Sequence, residues 1–433
     1  MTDARRALRL KSVPFLWCGL LLGGWGAPLL GQEGTVVLRG ARLLTVSHGI
    51  VEDGVLVMKD GLITAVGAHV PIPPGAEVLE MGGKTVMPGL MDAFTNLGAA
   101  DYPSYGRDDD EATDPVTPHL RILDALNPDN RFIPLARSAG VTAVLCAPAD
   151  GNLLTGQSVL VRLSGGNAEE MVVRSPVGVH VSLGQAVKLR YGEKNRMPGT
   201  RMGAAALLRQ TLVDAQGYGE RLARHEREMA EYGATGREEG KEAPTPPARN
   251  LKLEALLPVL GGETPLIVSA DRYDDIHTAL RIADEFQLRI ILNRGAEAHR
   301  MAPELARRNI PVLWGPVGAE YREPEARGGT PATPRHLVDA GVPVAFQTGS
   351  VENLTGLLDQ ARAAMAHGLS YEDALAGLTL RPAQIFGADD RLGSLEVGKA
   401  ADLVVFDGDP LEALSRVEMV FIGGTGYHQL SRP

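Results

Sequence analysis

Cysteine is scarce: the 433-residue chain has two, Cys18 and Cys146. That excludes a small fold stapled by disulfides. Aromatic residues are few, at 5%. Excess positive charge is missing too. Lys and Arg total 43 against 53 Asp and Glu, for a net charge of −10, so a nucleic-acid footprint is excluded. No repeat recurs at a fixed period. No phosphate-binding loop is present, because Gly165-Gly166 lacks the spacing of that fingerprint.

What the chain does have is length and apolar content. With 44% hydrophobic residues, it can build one large domain and an appended smaller one. Its N-terminus reads as a signal peptide over residues 1–31. Arg5, Arg6, Arg9 and Lys11 form a basic start, Val13 to Leu30 is apolar, and small residues near Gly31 offer a cleavage point before Gln32. The alternative is an uncleaved anchor, which the glycines and the prolines Pro14 and Pro28 disfavour. Bulky Phe15-Leu16-Trp17 before Cys18 argues against lipidation. Cleavage would remove four basic residues and one acidic residue, Asp3, leaving a more acidic chain with Cys146 alone. An internal disulfide is then impossible. An exported protein, periplasmic or extracellular, is expected, with no membrane contact beyond that segment.

Residues 35–87 read as short strands and turns: Val36 to Leu38, Ala41 to Val46, Gly54 to Met58 and Leu62 to Val66, with Lys59-Asp60-Gly61 as a hairpin turn. Ala401 to Asp407 and Val417 to Ile422 are similar, and the two chain ends can pair into one small β-sandwich. The middle alternates strand and helix. Thr264 to Ala270, Leu288 to Leu292, Pro311 to Trp314 and Val342 to Phe346 are strand candidates. Between them, Asp274-Asp275 can cap a helix through Phe286, and Glu297 to Arg308 reads as another. Repeated βα units predict an α/β fold with a (β/α)₈ TIM barrel. The expected domains are 32–87 plus 391–433 as the composite sandwich and 88–390 as the barrel. A charged arm or loop interrupts the barrel at 218–250, with Ala243 to Pro247 as its Pro-rich exit. A charged arm is first a solvated face, and second a partner contact.

Pro88-Gly89-Leu90-Met91-Asp92-Ala93-Phe94-Thr95-Asn96-Leu97 resembles the first-strand signature of the amidohydrolase superfamily, Pro-Gly-Leu-Ile-Asp-Ala-His-x-His-Leu. Gly393 to Val404 resembles its C-terminal Gly-Ser-Leu-x-x-Gly-Lys-x-Ala-Asp-Leu-Val motif, and Thr379 to Ala383 the Thr-x-x-Pro-Ala segment before it. The resemblance covers nearly all of the chain after the signal. Within the superfamily the chain is most similar to secreted bacterial imidazolonepropionase-like proteins, through Glu111 to Pro118 and Met197 to Gly203. That resemblance implies a metal-dependent hydrolase of C–N bonds other than peptide bonds, with zinc held at the carboxyl ends of the barrel strands.

At those positions this sequence departs from the pattern. The His-x-His pair is Phe94 and Asn96. The fourth strand, Gly178 to Gln185, has His180 for the family lysine and Gln185 for the glutamate. The fifth has Ser269 in Ser269-Ala270-Asp271. The sixth, Asn293 to Ala298, has Arg294 for histidine, and the eighth, Gln347 to Ser350, has Gly349 for the aspartate that is ligand and base. Phenyl and carboxamide groups are poor ligands, and a guanidinium repels a cation. No metal is therefore expected, and no cofactor. The chain reads as a non-catalytic binding protein or partner subunit that keeps the hydrolase scaffold. The alternative is a divergent amidohydrolase still hydrolysing a C–N bond through other residues.

Asn96, His180, Ser269, Asp271 and Arg294 are expected to ring the barrel mouth. Arg294 with Asn96 and Ser269 would hold a small anionic ligand, and Phe94 would wall the site. A homo-oligomer, or pairing with an active homologue, is the other expected association. His180 is expected to be a hydrogen-bonded interior histidine. His277, His299 and His367 read as packing or surface residues on helices, Cys146 as inert core, and Asp92 as a brace for the first strand.

Overall fold

A computed structural model describes residues 34–101, 107–236 and 242–428. The expected signal peptide lies outside the described residues. So do residues 237–241 of the charged arm.

The chain starts with β1 (Val36–Leu44), β2 (Ile50–Lys59), β3 (Leu62–Gly67), β4 (Glu77–Glu80) and β5 (Thr85–Pro88). β1 is one strand where two were expected. Gly40, at φ +79°, allows a bulge that carries it across the turn-like sequence. Lys59 pairs with Leu62 across Asp60 and Gly61, both at positive φ, so the predicted hairpin closes through two left-handed residues.

The middle of the chain supplies β6 (Leu90–Thr95), β7 (Val141–Cys146), β8 (Leu154–Gln157), β9 (Val159–Arg162), β10 (Val172–Arg174), β11 (Val179–Ser182), β12 (Leu266–Ala270), β13 (Ile290–Arg294), β14 (Val312–Trp314) and β15 (Val344–Phe346). They form two sheets, in the orders β10-β9-β7-β6 and β15-β14-β13-β12-β11-β8. β11 to β15 pair in parallel. Among the described residues, hydrogen bonding does not run as one continuous ring. The exit of β15 meets β6 through the Gly349 N–H, which donates to the Phe94 carbonyl at 3.0 Å. Met91, Leu145, Ile267, Ile291, Leu313 and Ala345, drawn from both sheets, share one buried cluster. Alternation along the strands then sends the next inward layer to the polar residues Ser182, Ser269, Asn293 and Gln347, with His180 beside Ile267 one layer below. The opposite face packs on helices such as Tyr273–Phe286.

β16 (Leu403–Phe406), β17 (Val417–Ile422) and β18 (Thr425–His428) return to the first strands. β16 lies antiparallel to β5, with Leu403 opposite Pro88, giving one sheet in the order β18-β17-β16-β5-β1-β2-β3 with β4 on β1. The two chain ends thus join in one eight-stranded sheet.

Several expected boundaries move. The long helix runs Arg201–Glu231, starting well before residue 218 because Thr200 accepts from the Gly203 N–H and caps it. Its first half buries Ala204, Leu208, Leu212 and Ala215, and its charged second half is largely exposed. The helix after β12 is Tyr273–Phe286, so Asp274 and Asp275 sit in its first turn and do not cap it. Glu297 to Arg308 splits into a 3₁₀ turn and the helix Ala302–Arg307, where Pro303 occupies the first turn. Among the described residues no helix is long and apolar enough to cross a membrane.

Candidate functional site

The expected site residues fall into three separate environments. Phe94 and His180 form the first. Both are buried, with ring centroids 5.6 Å apart at 59°. Neither ring nitrogen of His180 has a hydrogen-bond partner among the described residues, which corrects the expected hydrogen-bonded histidine. Burial lowers its pKa to about 3, so the imidazole is neutral. Its ring lies one inward layer below Ser182 on β11.

Asn96 stands in a second environment. Its amide N–H donates to Asp109 at 2.8 Å and its carbonyl accepts from the Val351 N–H at 2.9 Å. Arg107 also pairs with Asp109, at 3.0 Å. Asn96 therefore joins the loops after β6 and β15 and does not approach Arg294 as a co-ligand.

The third environment holds Ser269, Asp271 and Arg294, at the carboxyl ends of β12 and β13. Together with Ser182 and Gln185 they line a cavity of about 240 Å³. Arg294 is at φ +71°, a conformation unusual for a long side chain. Its Nε donates to Asp271 Oδ2 at 2.8 Å, Nη2 pairs with Glu323, and Nη1 lies 4.0 Å from Asp150. Burial opposes the charge on Arg294, but Asp271, Glu323 and Asp150 outweigh it and raise its pKa further. The expected anion clasp of Arg294, Asn96 and Ser269 is thus not assembled. Asn96 is elsewhere, and carboxylates of the chain already occupy the guanidinium.

Ser269 is likewise engaged. Gln347 Nε2 donates to Asn293 Oδ1 at 2.7 Å, Asn293 Nδ2 to Ser269 Oγ at 2.8 Å, and Ser269 Oγ to Asp150 Oδ1 at 2.6 Å. This relay spans β15, β13, β12 and the loop after β7. Burial raises the Asp150 pKa, while Arg294 and the Ser269 hydroxyl pull it down. At the other flank the Gln185 backbone N–H donates to Glu325 at 2.5 Å, and Arg201 pairs with both Glu325 and Asp275. Met197 to Gly203 and the Asp274-Asp275 segment are joined there.

Sequence reasoning missed Asp150, Glu323, Asn293 and Asp109. Asn293 was accessible by alternation, being two residues beyond the apolar Ile291 on the inward face. Asp150 and Glu323 stand on loops, where strand and helix periods carry no signal.

A metal is the group that the resemblance implies. The residues at its ligand positions do not fit one. Phe94 offers carbon, Arg294 a cation and Gly349 no side chain, and the polar atoms of Asn96 and Ser269 are spent on protein partners. No group of three or more His, Cys, Asp or Glu among the described residues is arranged to hold a metal ion.

The remaining expectations fall as follows. Asp92 is buried and accepts from the Phe94 N–H, the Thr348 N–H and the Thr348 hydroxyl, bracing β6 against the exit of β15. Cys146 is in the core, its thiol pushed up to about 12 by burial. His277 stacks on Tyr273, His299 contacts Thr333, and His367 contacts the Ala363 carbonyl.

Comparison with known proteins agrees with this scaffold. The sequence model of the amidohydrolase family matches residues 289–425. An imidazolonepropionase of Mesorhizobium japonicum is 26% identical over 425 residues, covering 89% of this chain and 96% of that protein. The amidohydrolase tasK of Hapsidospora irregularis is 27% identical over 393 residues, 86% of this chain, which spans only 39% of tasK. The crystal structure of an amidohydrolase from Thermotoga maritima superposes with a TM-score of 0.82 at 33% identity, covering 91% of this chain and all of that one. This chain belongs to the amidohydrolase family.

Proposed function

We propose that this protein is a binding member of the amidohydrolase family, one that has given up the metal centre and keeps the cavity. The observation that carries this reading is the state of Arg294. A permanent cation sits where a metal ligand is expected, tied to Asp271 at 2.8 Å and paired with Glu323. Metal-dependent hydrolysis needs a bound water of lowered pKa and a base to take its proton. Gly349 offers no carboxylate for the second task. The scaffold is read as a (β/α)₈ barrel over 88–390. Residues 32–87 and 391–433 are read as its β-sandwich, and 1–31 as a cleaved signal that exports the protein. Self-association or pairing with an active homologue is part of the same reading.

The test is metal analysis of the purified full chain, with turnover of N-acyl dipeptides and cyclic amides measured with and without chelator. The expected result is metal well below one ion per chain and no turnover. Stoichiometric zinc with chelator-sensitive hydrolysis would overturn the proposal.

A second reading has its own support. Ser269 Oγ lies 2.6 Å from Asp150 Oδ1 beside the cavity, a hydroxyl and a carboxylate in reach of proton transfer. On this reading C–N hydrolysis persists without metal. It requires turnover that survives chelator and is lost in both S269A and D150N.

A further inference from the structure

Three carboxylates face Arg294, and they are not equivalent. Asp271 is 9% exposed at its side chain and also accepts from the Ala296 N–H at 3.2 Å, so β12 and the turn after β13 hold it together. Asp150 is 4.0 Å from the guanidinium and already takes the Ser269 hydroxyl. Glu323 is different. Its side chain is 45% exposed, and it follows directly on the short helix Ala319–Arg322 in the loop after β14. Of the three it is the most open to water, so it is the partner that solvation helps most to leave. Glu325, two residues on, is held on the other flank by Arg201 and the Gln185 N–H. The segment 319–326 is therefore a strap beside the cavity, with a firm latch at Glu325 and a weak one at Glu323. Both glutamates and Pro324 between them line that cavity.

We infer that Glu323 is an internal stand-in for the carboxylate of a small ligand, which displaces it from Arg294 and releases the strap. This rests on reading the cavity as a binding site. Charge supports it. Exchanging one carboxylate for another leaves the formal charge around Arg294 unchanged. A neutral ligand would leave the guanidinium short of a partner, and a guanidinium fork matches a carboxylate edge. The Nη2 edge is the outward one, since Nε is committed to Asp271. Size supports it as well. About 240 Å³ is below the range that takes drug-sized ligands. The ligand is a small monocarboxylate, and Ser182 and Gln185 are the polar groups left to meet the rest of it.

Calorimetric titration of the full chain with N-acetylglycine, and with its uncharged counterpart N-acetylglycinamide, tests this. The acid is expected to bind and the amide not. Removing the internal competitor in E323A should tighten binding of the acid by about 10-fold. R294M should abolish it. Backbone amides of 319–326 should exchange hydrogen faster when the acid is bound, and in E323A without it. E323Q keeps the side chain's size and should behave like E323A even if shortening the chain disturbs the strap. The inference falls if the amide binds as well as the acid, if neither the unaltered chain nor E323A binds the acid, or if E323A and E323Q both bind it no better than the unaltered chain while circular dichroism shows them folded. These outcomes are independent of the metal analysis. Zinc in the unaltered protein would sink the binding-protein reading, whatever Glu323 does.

Discussion

The ring of Phe94 lies 5.6 Å from that of His180, on β6 and β11, so an aromatic contact fills space deep to the cavity. His180 is fully buried there. Burial lowers the His180 pKa to about 3, against about 6.5 for a free imidazole. Below about pH 6.5 the unfolded chain takes up a proton that the folded one refuses. Stability from neutral His180 is therefore complete above that pH and is lost as pH falls toward 3. H180L removes both the proton site and two unpartnered nitrogens. Its melting temperature at pH 7 should equal or exceed the unaltered protein's. Its loss of stability between pH 7 and 4.5 should be smaller by roughly 2 kcal/mol. Unchanged acid sensitivity in a melting series would contradict this.

Asp92 runs the other way. Burial raises its pKa to about 7, against the hydrogen bonds from Thr348 and Phe94 that favour the ionised form. The folded chain keeps a proton that the unfolded chain gives up above about pH 4. That stability is present at low pH and lost as pH rises through 7. Over the same window His180 and Asp92 oppose each other, so the native profile alone separates neither. D92N keeps an acceptor for the two backbone N–H groups and stays neutral. It should compare better with the unaltered protein at pH 8 than at pH 5, by roughly 1–3 kcal/mol in denaturant titration. An equal difference at both pH values would mean that Asp92 does not titrate in this range.

Asn96 should matter for stability and not for ligand binding. Its amide serves Asp109 and the Val351 N–H, and it is absent from the cavity lining. N96A leaves a buried N–H unpaired, at a cost of about 1–3 kcal/mol. Binding of N-acetylglycine by the folded variant should be unchanged. A large loss of affinity would restore Asn96 to the site.

How far the sequence carried depended on the kind of signal. β6, β11, β12 and β13 were legible because motif residues and apolar alternation place them to within about two residues. The joining of the chain ends was legible as paired β-rich segments. Of the five expected binding residues, Ser269, Asp271 and Arg294 do share a cavity, and Asn96 and His180 do not join them. Strand position sets the layer from which a side chain enters the interior, and nothing in the sequence says which partner reaches it first. Arg294 was read as free because Asp150 and Glu323 lie more than 140 and nearly 30 residues away along the chain, on loops that periodicity does not place. His180 was read as hydrogen-bonded because buried polar groups nearly always are, and Phe94 in place of a polar neighbour removed that option.

Gly349 shows why returning one missing group should not return a metal centre. It sits at φ +79°, and its N–H donates to Phe94. A Cβ there would lie 3.3 Å from Pro316 Cδ. G349D must therefore adopt a left-handed backbone and press on a proline ring, costing about 1–2 kcal/mol. G349A should cost at least as much, which would identify the loss as backbone strain. G349N should cost less than G349A, because a short polar side chain such as asparagine or aspartate tolerates this conformation better. The carboxylate introduced by G349D would still lack Phe94, Asn96 and Arg294 as co-ligands. Its zinc content after dialysis should stay well below one ion per chain. A stoichiometric ion in G349D would mean that the carboxylate position alone had limited the site, and that Arg294 can turn away from it.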